Sequence, residues 1–164
     1  MKKNNPPDGV PVWFDGKNIN EALFCEEFLQ THKIIFTNGA FFTPEGRVTD
    51  ELPLRGEIFE ELKCCAVSNI PRKISNIVEL MKLAALVEDF PPKADRIHLS
   101  NGTLFLGGKF VEGKPEIVRN RFPVAYNPNA PKPVLWLQFL DGLLYPEDIP
   151  TLQEYIGYCL IPRN

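Results

Sequence analysis

The amino-acid sequence predicts an α+β protein of two small lobes, and three observations lead there. An Asn-Gly dipeptide sits between apolar, β-rich runs twice, at Asn38-Gly39 and Asn101-Gly102. Such a dipeptide marks a tight hairpin, because both central turn residues need positive φ. Apolar residues at helical spacing occupy the stretches between and after these hairpins. Finally "FPPK", residues 90–93, breaks the chain between the two hairpin-containing regions.

The elements follow in order. Residues 1–19, which contain the proline-rich "NNPPDGVPV", are expected to form a flexible arm. Asn20 is a natural N-cap for a helix through "EALFCEEFLQTH", with Leu23, Phe24 and Phe28 on its inner face. "KIIFTNGAFFTPEGRV" reads as a three-stranded meander. Arg55 to Ser68 carries an apolar stripe of Ile58, Phe59, Leu62 and Cys65. Pro71 suits the first turn of the next helix, which buries Ile74, Ile77, Val78, Met81 and Ala85. This helix pair, with a hairpin as its wing, makes the 20–90 lobe winged-helix-like.

The second lobe, 91–164, repeats the theme. "DRIHLSNGTLFLGGKFVEGK" is a second meander, with Gly102, Gly107 and Gly108 as turn glycines. Val134 to Leu144 forms a short helix burying Leu137 and Leu140, with Trp136 alongside. Thr151 and Glu154 form a capping box that opens a last helix, whose Leu152, Tyr155, Ile156 and Cys159 face inward.

Composition excludes several functions. The chain has 164 residues, 44% of them apolar and 24% charged, an ordinary globular balance. No apolar run approaches the roughly 18 residues of a membrane span. Two N-terminal lysines without a hydrophobic segment behind them are not a signal peptide, so a cytoplasmic location is expected. Cys25, Cys64, Cys65 and Cys159 form no CxxC pair; adjacent Cys64 and Cys65 should point to different faces, so buried thiols rather than a metal site are expected. "NGTLFLGGKF" fails as a phosphate loop in both reading frames: after Gly102 the lysine slot holds Gly108, and after Lys109 the hydroxyl slot holds Phe110. His32 has no carboxylate at helical spacing, His98 is expected on the first strand of the second hairpin, and no nucleophile elbow occurs. No catalytic, cofactor-binding or metal residue is assigned.

The net charge of −3 argues against a free-standing duplex-DNA binder, since phosphate contacts dominate such affinity. Any nucleic-acid contact must rest on local cations. Residues 93–121 are locally basic, with Lys109, Arg119 and Arg121 among them, and Arg72 and Lys73 stand at a helix N-terminus that already favours anions. These five are the candidate nucleic-acid-binding residues.

From about Asp95 onward the chain resembles a known arrangement. Asn101-Gly102 with its apolar strand, Arg121-Phe122-Pro123, the aromatic and proline run Tyr126 to Pro131, Trp136 to Leu140, and Gly157-Tyr158 follow one another as in phage and plasmid primase-helicases. In these superfamily 3 proteins, typified by satellite-phage primases and the poxvirus primase-helicase, this region precedes the helicase motor. The resemblance covers the last 70 or so residues most clearly. It implies a non-catalytic accessory module whose partners are the motor of the same polypeptide, further copies in a hexamer, and single-stranded DNA held weakly by one copy. ATP and magnesium would belong to the motor, because this chain carries neither a P-loop nor primase carboxylates. The alternative is a stand-alone winged-helix-like regulator that binds DNA or protein.

Overall fold

The computed structural model describes residues 11–65 and 68–161. The fold is α+β, with five α-helices and two three-stranded antiparallel sheets among these residues. The chain divides into two compact units. One holds the described residues up to Phe90 together with Pro115–Arg119; the other holds Pro91–Lys114 and everything described from Asn120 onward.

In the first unit, α1 spans Glu21–His32 and starts as its sequence demands, with Asn20 Oδ1 accepting from the Leu23 N–H at 3.2 Å. Its inner face is Phe24, Cys25 and Phe28, while Leu23 is exposed, one position off the buried stripe. β1 (Ile35–Thr37), β2 (Ala40–Thr43) and β3 (Gly46–Arg47) pair in that order. Thr37 opposes Ala40, so Asn38 and Gly39 are the whole turn, at φ 49 and 74. Both positive values identify the primed hairpin turn expected of Asn-Gly.

Helix α2 spans Leu52–Leu62, starting three residues before the expected Arg55 because Pro53 is tolerated in a first turn. It buries Leu54, Ile58 and Leu62 and leaves Phe59 exposed; a 3-10 turn, Lys63–Cys65, follows. Helix α3 spans Ile70–Ala84, with Ile74, Ile77, Val78 and Met81 buried along one stripe as its spacing requires. It packs chiefly on α1 and then on α2. Beyond it the chain runs beside β1: the Phe36 N–H donates to the Ala85 carbonyl at 2.7 Å and the Val87 N–H to the Phe36 carbonyl at 2.9 Å.

Two expectations for this unit are corrected. Residues 11–19 do not form an arm. Trp13 is only 4% exposed and stands edge-on to Phe24, Ile19 joins the same core, and Phe14 pairs with Ile19. Burial of a large indole outweighs the polar character of its neighbours. The rest of the expected arm, residues 1–10, lies outside the described residues. Cys64 and Cys65 do not diverge either: their sulfurs lie 3.4 Å apart. Consecutive Cα atoms are only about 3.8 Å apart, so side-chain rotation decides where the sulfurs sit. Cys64 is turned by its bond to the Glu61 carbonyl, 3.0 Å away. Cys64 and Cys159 are exposed, against the expectation of buried thiols; Cys25 and Cys65 are buried.

In the second unit β4 (Arg96–Leu99), β5 (Gly102–Phe105) and β6 (Phe110–Glu112) form the other meander. Its first turn is shifted by one residue from the expected Asn101-Gly102. Leu99 pairs with Gly102, so Ser100 and Asn101 make the turn, and neither they nor Gly102 has positive φ. Gly102 is required for another reason. A Cβ there would fall 2.3 Å from the Val111 carbonyl oxygen and 2.5 Å from the Phe110 ring. Helix α4 spans Val134–Leu143 and buries Leu140, with Leu137 half-buried. Helix α5 spans Asp148–Cys159 and buries nothing. It begins ahead of the expected capping box, with Pro150 and Thr151 already inside its first turn, where N–H groups have no intrahelical partner to lose.

Candidate functional site

Around the β4–β5 turn, two side chains organise the backbone. Asn101 Nδ2 donates to the Tyr126 carbonyl at 2.9 Å, and the Tyr126 N–H donates to Asn101 Oδ1 at 2.8 Å. Arg121 Nη1 donates to the Leu99 carbonyl at 2.6 Å and the Gly102 carbonyl at 3.3 Å, the two residues flanking the turn. Between them the chain 122–124 runs beside β4: the Phe122 N–H donates to the His98 carbonyl at 2.9 Å, and the Ser100 N–H to the Val124 carbonyl at 3.0 Å. Tyr126 also lies against Phe110, ring centroids 4.8 Å apart. His98 is buried, its Nδ1 3.1 Å from the Thr103 hydroxyl of the facing strand, which is a structural contact.

The five candidate cations divide between the units. Arg72 is exposed near the start of α3. Lys73, half-buried, lies 3.8 Å from Glu21. Arg119 donates through Nε to the Phe90 carbonyl and places its guanidinium over the Phe90 ring at 5.8 Å. Arg121 is the hairpin staple just described. Lys109 is exposed in the β5–β6 turn, which Gly108 closes at φ 84. Arg72 and Lys109 therefore face solvent, whereas Lys73, Arg119 and Arg121 have intramolecular contacts. Carboxylates also lie close to α3: Lys82 is 2.9 Å from Glu79 of the same helix and 3.6 Å from Glu51 at the start of α2.

The larger feature is apolar. In α4, Leu135, Phe139 and Leu143 follow one another at four-residue spacing and are exposed, Leu135 to 83%. Trp136 and Phe139 stack on each other in the open, centroids 5.6 Å apart. In α5 an inward-facing stripe of Leu152, Tyr155, Ile156 and Cys159 was expected, but only Leu152 is half-buried; Tyr155 (66%), Ile156 and Cys159 are exposed, as is Tyr158. Helical spacing showed correctly that these residues share faces, but it carries no information on whether anything covers them. In proteins generally, large contiguous exposed apolar patches are a feature of interaction surfaces.

Among the described residues no group of three or more His, Cys, Asp and Glu side chains gathers as metal ligands, and no helix is long and apolar enough to cross a membrane. Neither a family model nor a curated protein matches the chain.

Proposed function

We propose that this chain is a non-catalytic accessory module of a phage or plasmid DNA primase-helicase, docking through α4 and α5 on the helicase motor of the same polypeptide. The observation that carries the reading is the exposure of Trp136, Phe139 and Tyr158. These belong to the motifs through which the sequence resembles the region preceding such motors. Motif residues retained on a surface, rather than in a core, suit a docking role. ATP and magnesium belong to the motor. Copies gathered in a hexamer would bring Arg72 and Lys109, the solvent-facing cations, to one strand of DNA several times over. Multivalency then supplies an affinity that a single chain of net charge −3 lacks.

The test has two arms. Expressed as two separate chains, the module and an ATPase motor encoded in frame downstream should yield one assembly, and Leu135→Ser with Phe139→Ser should release the module while leaving its melting temperature within a few degrees. Absence of such a motor, or assembly indifferent to both substitutions, overturns the docking proposal. Saturable ATP binding by the isolated chain, lost in Lys109→Ala, would overturn its non-catalytic part.

A further inference from the structure

Cys64 and Cys65 close the end of α2 in a way the docking proposal does not use. Their sulfurs are 3.4 Å apart, Cys64 exposed to solvent and Cys65 only 7% exposed against the core. Cys64 Sγ is positioned by the Glu61 carbonyl at 3.0 Å, and Cys65 is fixed by packing with the buried cluster of α1, α2 and α3. The pair is thus a dithiol already converged in the folded chain.

Two fates are open to such a pair, and geometry separates them. A direct disulfide needs sulfurs about 2.0 Å apart and Cα atoms roughly 4.4–6.8 Å apart, whereas adjacent residues hold their Cα atoms at about 3.8 Å. Oxidation must therefore distort the backbone at the end of α2. Inserting one atom between the sulfurs needs no such approach. The third protein ligand of an ordinary tetrahedral metal site is missing, since no group of three ligands forms among the described residues. A fitting centre is soft, takes two sulfurs and brings its own remaining substituent.

We propose that Cys64 and Cys65 form a chelating site for a monosubstituted trivalent arsenical, bound through both sulfurs. The exposed Cys64 thiol adds first; Cys65 then closes the ring. For an arsenical of the form R–As=O, two As–S bonds replace the As–O bond and two S–H bonds. Both thiol protons leave with the oxygen as one water, and no electrons are transferred. Burial, with the bond to Cys64 adding to it, raises the Cys65 pKa to about 11, so at neutral pH the second thiol arrives protonated and supplies its proton to that water. Because the native chain holds the sulfurs together, the folded form should bind more tightly than the unfolded chain.

The test uses phenylarsine oxide as the probe and the reduced, folded chain. Intact mass should show one adduct that survives excess monothiol and is removed by a dithiol, and the adduct should melt at a higher temperature than the unmodified chain. Cys64→Ser, an exposed substitution, should strip in monothiol roughly 10²-fold faster, the scale of a lost second attachment. Cys65→Ala should do the same, while Cys25→Ser and Cys159→Ser should leave the adduct unchanged. A monothiol-resistant adduct in Cys64→Ser, an adduct formed only after denaturation, or a lowered melting temperature would each overturn the proposal.

Discussion

Asn101 grips the backbone of Tyr126 with both ends of its carboxamide, donating at 2.9 Å and accepting at 2.8 Å across 25 residues of chain. The other Asn-Gly asparagine, Asn38, supplies a positive-φ turn position instead. Asn101→Asp keeps the acceptor but sets a carboxylate oxygen against the Tyr126 carbonyl. It should cost about 1–3 kcal/mol in urea titration, with faster hydrogen exchange in residues 96–112. Asn38→Asp keeps a residue tolerant of positive φ and should cost well under half as much.

The two glycines that follow these asparagines should also separate. Gly39→Ala meets no atom within 4 Å but forces an alanine to φ 74, a strain of about 1–2 kcal/mol. Gly102→Ala drives its methyl into the Val111 carbonyl and the Phe110 ring. Its cost should lie at or above the top of the roughly 1–3 kcal/mol overpacking range. Equal melting temperatures for the two variants would contradict the pairing of β5 with β6.

A third comparison distinguishes positioning arginines from surface ones. Arg121→Lys removes the forked donor shared between the Leu99 and Gly102 carbonyls and should destabilise the chain by about 1–3 kcal/mol. Arg72→Gln changes an exposed side chain and should shift stability by less than about 0.5 kcal/mol. Thermal melts of both variants decide the matter.

The pH dependence has a definite sign at Glu61. Burial raises its pKa above the ordinary 4.5, with His32 pulling the other way from 3.7 Å and Glu27 and Glu57 adding to the rise. Between 4.5 and that raised value the folded chain binds more protons than the unfolded one, so stability falls as pH rises through this window. Glu61→Gln removes the titration. Relative to the parent it should gain stability across the same window and hold that gain at higher pH; a gain confined to acid would contradict the assignment.

Short-range chemistry was legible in the residues themselves. The Asn20 cap, the Asn38-Gly39 turn and the shared apolar face of Ile74, Ile77, Val78 and Met81 each depend on groups within a few positions of one another, and the sequence determined all of them. Only the tertiary structure decided what long-range partners decide. Arg121 finds the Leu99 carbonyl 22 residues away and Arg119 the Phe90 carbonyl 29 residues away, so candidate phosphate ligands proved to have carbonyl partners within the fold. Trp13 entered the core because α1 offered Phe24 as its neighbour, and the apolar residues of α5 stayed exposed because no described element covers them. Periodicity states which side chains share a face; burial requires a second surface, and that surface is set by elements far away in the chain.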